Sequence, residues 1–293
     1  MRKMQIPPTP LSLKGGKDSV RALSLLLALA AAPLAAETET VDAVLARHVA
    51  ARGGDAWASI RTIRMRGDFT AFSQVAPFVL HRRRAAAPDH GDRYHIDHVQ
   101  GGKRVVIAYD GAVGWQENPW SGMTWRHRIT GLDLQVLKQD VDFVNPLFDY
   151  AEKGYAVELV GRTDFEGQEV IQVDLTRPGG AEEKWYLDPE TYLEVARDAT
   201  RSDLGGQAFP QRKIFDDFRD VGGVRIPFYV ETEWYTRNLV MEVAEVELNV
   251  EVDDALFAMP PPPGMAELLR LAGSWDVRVE SRPQPGLPWQ EGR

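Results

Sequence analysis

"KRVVIAYDGAVGWQE", residues 103–117, is the stretch that decides the fold of this chain. Apolar and polar side chains alternate up to Tyr109, as they do in a strand that buries one of its faces. Asp110 and Gly111 come next, a pair that is typical of a tight two-residue turn. A second short alternating run then follows. The stretch therefore predicts two antiparallel strands joined as a hairpin.

The same pattern of alternating runs and turn residues recurs along most of the chain. Turn signals such as Gly101–Gly102, "FEGQ" at 165–168 and "DVGG" at 220–223 separate the runs. Consecutive strands joined by such short turns pair antiparallel. The sequence therefore predicts a mainly β (α+β) class, with ten or more strands in one strongly curved antiparallel sheet.

Two stretches depart from the strand pattern. Residues 40–54, "TVDAVLARHVAARGG", have apolar residues at helical spacing, a Thr40 cap and a double-glycine stop. Residues 130–154 have apolar residues spaced as in one or two short helices, broken near Pro146. We expect both helical segments to cover the concave face of the sheet.

The first 36 residues have the composition of a secretory signal. Basic residues precede the apolar run "ALSLLLALAAAPLAA", residues 22–36, which ends in small residues and is shorter than the roughly 20 residues that span a bilayer. We expect signal cleavage near Ala36 and a periplasmic location. A proline run near residue 262 ends the strand pattern, so we expect one domain at 37–264 and a C-terminal extension at 265–293.

Composition restricts the partners. Removing residues 1–36 takes away five basic residues and one acidic residue, so the formal net charge changes from −9 to −13. Such a charge repels phosphate backbones, which makes nucleic acid an unsuitable partner. The chain has no cysteine, which excludes disulfides, thiolate chemistry and a lipid-modified N-terminal cysteine. The protein is expected to be a monomer.

The densest group of metal-ligand side chains is "HGDRYHIDH", residues 90–98, with His90, His95, Asp97 and His98. On a strand, His95 and Asp97 share one face and His98 points to the other, so a metal triad would need a bulge. We predict that this group binds no metal. Zinc hydrolase chemistry is the alternative.

Other catalytic signals are weak. Asp216, Asp217 and Asp220 could supply a carboxylate pair, but a capped turn explains them better. The chain has no Gly-x-Ser-x-Gly elbow, no phosphate loop and no dinucleotide fingerprint. We predict no catalytic residue and no cofactor.

Apolar and aromatic residues are the remaining signal, because a sheet of this size must cover its concave face. We expect Trp115 and Trp120 to lie between the sheet and the 130–154 insertion. Arg82 and Arg84 are candidates for contact with an anionic head group. The predicted apolar ligand-binding residues are Met65, Phe69, Phe78, Leu80, Tyr94, Ile96, Ile107, Tyr109, Trp115, Trp120, Phe143 and Phe148.

Six segments, taken together and in order, resemble the outer-membrane lipoprotein-sorting proteins of the LolA-like class. The resemblance covers roughly residues 40–262. The segments are 48–69, 105–119, 163–175, 182–197, 215–231 and 247–260. The resemblance implies an unclosed β-barrel whose concave apolar face accepts acyl chains under a helical cover.

These observations favour a non-catalytic periplasmic carrier or sensor that binds a lipoprotein acyl chain or another apolar lipid. The partner would be an acylated lipoprotein or a lipid. One alternative is a regulatory or scaffold protein that binds an exported segment of an envelope membrane protein. The other is a metal- or carboxylate-dependent hydrolase.

Overall fold

The computed structural model describes residues 39–86, 91–123, 125–202, 207–234, 237–261, 264–265, 280–281 and 290–291. The leader, its cleavage site near Ala36, His90 and most of the extension at 265–293 lie outside the described residues. The expectations for those segments therefore stay predictions.

Two α-helices and thirteen main strands form the described part of the chain. Helix α1 spans Val41–Ala51 and helix α2 spans Gly131–Lys138, with 3-10 turns at Gly54–Ser59, Pro119–Ser121 and Asp254–Leu256. The strands are β1 Thr62–Ala71, β2 Gln74–Arg83, β3 Arg93–Gln100, β4 Lys103–Tyr109, β5 Gly114–Glu117, β6 His127–Ile129, β7 Ala156–Phe165, β8 Gln168–Thr176, β9 Glu182–Leu187, β10 Glu194–Ser202, β11 Ala208–Val221, β12 Val224–Trp234 and β13 Arg237–Leu248. Two further two-residue strands, β14 Glu280–Ser281 and β15 Gln290–Glu291, pair with each other.

All thirteen strands belong to one antiparallel sheet, in the order β6-β5-β4-β3-β2-β1-β13-β12-β11-β10-β9-β8-β7. Strands β1 to β6 form one meander and β7 to β13 form another, and the pairing of β1 with β13 joins them at the centre. The edge strands are β6 and β7, so the sheet is not closed into a barrel. The predicted mainly β class is confirmed.

This topology dictates what covers the sheet. Strands β6 and β7 are consecutive in the chain but lie at opposite edges of the sheet. The connection between them, residues 130–155, must therefore cross the whole width of the sheet. It does so over one face, which we call the inner face.

The inner face is apolar because the strand pairing places apolar residues of neighbouring strands side by side on it. Leu80 lies opposite Met65 on one side and Ile96 on the other, and Ile96 lies opposite Ile107. Cross-strand partners share a face, so this row continues from strand to strand. It contributes to a buried cluster that spans the β1–β6 half of the sheet and reaches β12 and β13.

The N-terminal helix covers the other half of the sheet, as predicted. The Thr40 side chain caps α1 by accepting a hydrogen bond from the Ala43 N–H. Val44 and Leu45 of α1 are buried against inner-face residues of β8 and β9. The 3-10 turn after α1 places Trp57 in the cluster under the insertion. Among the described residues, neither helix is long and apolar enough to cross a membrane.

One predicted turn is wrong. Gly101 and Gly102 do form a two-residue turn, since Gln100 pairs with Lys103. Tyr109, however, pairs with Gly114, so the loop that contains Asp110 has four residues. The Asp110 carboxylate accepts hydrogen bonds from the N–H groups of residues 112 and 113, at 2.9 and 2.7 Å, which stabilises the longer loop.

Candidate ligand-binding site

The candidate site lies between the inner face and residues 139–150, which we call the cover segment. This segment begins where α2 ends and contains no regular helix or strand. Its Val141, Phe143 and Phe148 are buried in the same apolar cluster as Phe69 and Leu80. The insertion therefore covers the inner face, as the sequence predicts.

A cavity of about 130 Å³ remains between the cover segment and the sheet. One wall is apolar and comes from the central strands, which place alternate side chains on the inner face. Trp57 and Phe143 close the cavity from the side of the cover. The residues of the apolar wall are Ile63, Met65, Leu80, Ile226, Val230, Met241 and Val243.

A charged wall, formed by β10, β11 and the cover segment, lines another part of the cavity. Arg197 of β10 and Lys213 of β11 lie directly opposite each other on the inner face. Asp140 of the cover segment lies between them, with its Oδ1 3.1 Å from Arg197 Nη1 and its Oδ2 2.6 Å from Lys213 Nζ. Burial lowers the pKa of Lys213 to about 8, although Asp140 opposes the shift. Burial alone would raise the pKa of Asp140, but Lys213 and Arg197 hold it well below its usual value.

Asn145 anchors the cover segment at a second point. Its Nδ2 donates to Glu194 Oε1 at 2.6 Å and lies 2.9 Å from His48 Nε2. Arg52 Nη1 also donates to Glu194 Oε1, at 2.6 Å. Burial favours protonation of Glu194, but the charge of Arg52, and that of His48 when it is protonated, lower its pKa to about 2. Burial lowers the pKa of His48. Glu194 is therefore a carboxylate at neutral pH.

A third anchor joins the cover segment to β9. Asp142 Oδ2 lies 2.8 Å from Arg177 Nη2, and Arg177 Nε donates to Glu183 at 2.5 Å. The backbone oxygen of Asp142 also accepts from Arg82 Nη1 at 2.6 Å. Three ion-pair or hydrogen-bond anchors therefore hold a segment that also buries apolar side chains.

A second space of about 620 Å³, the groove, is lined by the cover segment and by residues at the ends of β2 and β4. Asp142, Phe143 and Val144 line both this groove and the smaller cavity. These three residues border both spaces, and we call them the partition.

The structure brings ten of the twelve predicted apolar residues together. Most are buried in one cluster with the cover segment, and Met65 and Ile107 pack against that cluster half-buried. These ten residues are Met65, Phe69, Phe78, Leu80, Tyr94, Ile96, Ile107, Tyr109, Phe143 and Phe148. Only Met65, Leu80, Tyr94 and Phe143 also line the 130 Å³ cavity.

The two predicted tryptophans lie elsewhere. Trp115 lies opposite Ala108, so it is on the outer face, where it packs near Met259 and donates from Nε1 to the Phe257 oxygen at 2.8 Å. Paired residues share a face, and Tyr109 on the inner face pairs with Gly114. Trp115, the residue after Gly114, therefore points to the outer face, although the prediction placed it with Tyr109. Trp120 is 37% exposed and donates to the Gln100 oxygen at 3.1 Å. Neither residue lies between the sheet and the insertion.

The two predicted head-group arginines have different positions. Arg82 lines the cavity, and its guanidinium lies 5.5 Å from the Tyr94 ring centroid. Arg84 lies outside the cavity and donates to the backbone oxygens of Ile60 and Trp57 at 3.2 and 3.1 Å. Arg84 therefore fixes the 3-10 turn to β2, and it also lines the groove.

The histidine and carboxylate groups do not converge in the described residues. His95 is opposite His81, and His98 lies on the other face with its ring centroid 4.3 Å from that of Phe69. The alternation argument for separating them is therefore correct. No group of three or more His, Asp or Glu residues in the described part could hold a metal ion. The capped turn expected for the carboxylates applies only to Asp220, which accepts a hydrogen bond from the Gly223 N–H at 3.2 Å. Asp216 and Asp217 lie within β11, where Asp217 has a positive φ of 52° and pairs with Arg219.

Sequence reasoning missed the charged wall. A signal for it exists, because Arg197 and Lys213 share a strand face with the apolar residues Ala199 and Phe215, two positions away. A charge at an inward position of an alternating strand predicts either a partner or a ligand. Asp140 and Asn145 could not be matched to these residues, since their cover segment has no periodicity that fixes its path.

Comparisons with known proteins concern the fold. The sequence matches no protein-family model, and no curated protein matches it significantly. A DUF1329 family protein from Desulfovibrio piger superposes with a TM-score of 0.52 at 13% identity, over 75% of this chain and 98% of its own.

Two other solved structures are similar at lower TM-scores. A domain assigned to outer membrane lipoprotein sorting, from Vibrio parahaemolyticus, has a TM-score of 0.49 at 12% identity, over 73% of this chain and 94% of its own. A LolA superfamily protein from Nitrosomonas europaea has a TM-score of 0.47 at 13% identity, over 75% and 97%. The solved structures similar to this chain include proteins of the LolA-like class that the sequence resembles, and at these identities the similarity is one of fold alone.

Proposed function

We propose that this chain is a periplasmic carrier or sensor that binds one apolar chain between the inner face and the cover segment, without catalysis. The acyl chain of a lipoprotein or of a free lipid would suit this space. The observation that carries the proposal is that the partition, Asp142, Phe143 and Val144, borders both spaces.

The sizes of the two spaces support a movable partition. The cavity of about 130 Å³ beneath the cover segment is close to the ~150 Å³ that accommodates one benzene molecule. Ligand pockets are usually about 300–1,000 Å³. Joined to the 620 Å³ groove, the cavity would reach this range.

The way the cover segment is held also supports the proposal. Its anchors include ion pairs and hydrogen bonds to the sheet and to α1, as well as apolar contacts. When the segment moves, water can take over the hydrogen bonds of its polar anchors. An acyl chain can take over the apolar contacts that its side chains make with the sheet. Each CH2 group that leaves water contributes about 0.8 kcal/mol toward that exchange.

A series of uncharged alcohols tests this proposal. Octanol, decanol and dodecanol differ by two CH2 groups per step, which corresponds to about 1.6 kcal/mol, or roughly tenfold in affinity. We expect the thermal midpoint and the tryptophan emission to respond more strongly with each step. Affinity that does not depend on chain length would contradict the proposal.

Matched tryptophan variants locate the response. Trp57 lines the cavity and Trp115 is on the outer face, and both are buried. Trp185 also lines the cavity and is buried, so the double variant Trp57→Phe/Trp185→Phe should remove most of the emission change. Trp115→Phe should retain it. The opposite result would place the chain on the outer face and contradict the proposed site.

A further inference from the structure

Arg197 is incompletely paired although it is buried. Its Nη1 donates to the Gln139 oxygen at 2.9 Å and contacts Asp140 Oδ1 at 3.1 Å. Its Nε and Nη2 have no hydrogen-bond partner among the described residues. Arg197 is 2% exposed and lines the cavity. Buried N–H groups of a cation are costly when unpaired, so this edge of the guanidinium indicates a ligand.

The chemistry of this edge is specific. Nε–H and Nη2–H point in the same direction and match the two oxygens of a carboxylate. The protein uses the same edge elsewhere. Arg104 holds Asp97 with Nε at 3.0 Å and Nη2 at 2.6 Å, and Arg212 holds Asp198 with Nε at 2.7 Å and Nη2 at 2.8 Å. Arg197 lines the cavity, and this edge of its guanidinium holds no carboxylate from the described chain.

The charge around Arg197 favours an anion. Arg197, Lys213 and Arg82 all line the cavity, and Asp140 is the carboxylate that contacts both Arg197 and Lys213. Two cations directly opposite each other on neighbouring strands repel. Counting all charged residues that line the cavity, the four cations Arg52, Arg82, Arg197 and Lys213 exceed the three carboxylates Asp140, Asp142 and Glu194 by one, so a formal charge of +1 remains. A single carboxylate would balance it, which makes a monoanion a better match than a dianionic phosphate.

The cavity is also polar at one end and apolar along its length. Arg197 and Lys213 are on β10 and β11, whereas Met65 and Leu80 are on β1 and β2. All four residues line one continuous space. A molecule that fills it would have its anionic group at β10 and its chain along the central strands.

We propose that Arg197, assisted by Lys213, binds the carboxylate of an amphiphile whose alkyl chain lies along the apolar wall. This inference rests on the proposed function and adds the class of ligand, a long-chain carboxylic acid. The Nε and Nη2 groups donate to the two carboxylate oxygens. Asp140 remains on Nη1 and on Lys213.

The test compares head groups on one chain length. Dodecanoate, dodecanol, dodecyl phosphate and dodecylammonium are titrated by calorimetry into the wild-type protein at neutral pH. We expect dodecanoate to bind at least tenfold more tightly than dodecanol, and dodecylammonium to bind more weakly than dodecanol. A phosphate that binds tenfold more tightly than the carboxylate would overturn the assignment of the ligand class.

Two variants test whether Arg197 causes the preference for dodecanoate over dodecanol. Arg197→Gln should weaken dodecanoate binding at least tenfold and leave dodecanol binding within about twofold, so that the preference disappears. Arg104→Gln is the matched control, because its edge already holds Asp97 outside the cavity, and it should keep the wild-type preference. An unchanged preference in Arg197→Gln would overturn the inference.

The outcomes for the two proposals differ. If dodecanol binds with the expected chain-length dependence but dodecanoate binds no better, the carrier proposal stands and the carboxylate site is wrong. If no dodecyl compound binds the wild-type protein, both are wrong. The comparison of head groups uses the wild-type protein, so its result does not depend on whether a variant folds.

Discussion

His95 and His98 are on opposite faces of β3, and each is 6% exposed. Burial lowers the pKa of both histidines to about 4, from an ordinary value of 6.5. The positive charge of a protonated His81 lowers that of His95 further. At neutral pH both side chains are therefore neutral parts of the interior.

These pKa values predict a loss of stability in mild acid. Between pH 6.5 and about 4 the unfolded chain binds protons that the folded histidines do not bind. The free energy of unfolding should therefore fall as the pH drops from about 7 to about 5, on the order of 1–2 kcal/mol per histidine. Urea unfolding at a series of pH values measures this fall.

A substitution at His98 shows how much of the pH dependence of stability comes from this histidine. His98→Leu keeps an apolar side chain against Phe69 and removes one titrating group, so its stability should depend less on pH than that of the wild type. An equal pH dependence in both proteins would contradict the buried, neutral state of His98.

Among the elements, the crossover from β6 to β7 contributes most to the site, because it supplies α2 and the cover segment. Helix α2 can pack closely on the sheet because Gly114 has no side chain. A Cβ at residue 114 would lie 2.8 Å from Leu137 Cδ2, 3.0 Å from Leu134 Cδ1 and 3.4 Å from Ile129 Cβ. Gly114 therefore sets the distance between β5 and α2.

Substitution at Gly114 should lift α2 from the sheet. Gly114→Val adds three carbons where a single Cβ is already too close, which we expect to lower the free energy of unfolding by about 1–3 kcal/mol. Hydrogen exchange should become faster in residues 131–138. Gly114→Ala is the graded control and should give a smaller effect, since leucine ends can shift. Unchanged exchange in α2 after Gly114→Val would contradict this packing.

The sequence predicted elements of the fold more reliably than the positions of side chains in the site. Strand alternation and turn residues were sufficient for the antiparallel sheet, and the apolar spacing of residues 130–154 indicated the helical insertion. The four-residue loop at Asp110 could not be foreseen from a pair that also forms two-residue turns. Nor could the contact between Asp140 and Lys213, because it joins distant segments through an irregular stretch.

In the whole molecule, two meanders meet at β1 and β13, and the crossover between their outer edges passes over the inner face. The proposed function places one apolar chain in the space beneath this crossover. The residues at the centre of the sheet should therefore control binding. Residues on the outer face of the same strands should not.

Native mass spectrometry of the protein with dodecanoate tests this claim most directly. Met241 lines the cavity and Val240, its neighbour in β13, faces the other way. Wild type and Val240→Trp should each bind one molecule, whereas Met241→Trp, which fills the cavity, should bind none at the same concentration. Equal binding by Met241→Trp and Val240→Trp, or no binding by the wild type, would contradict the claim that the inner cavity holds the chain.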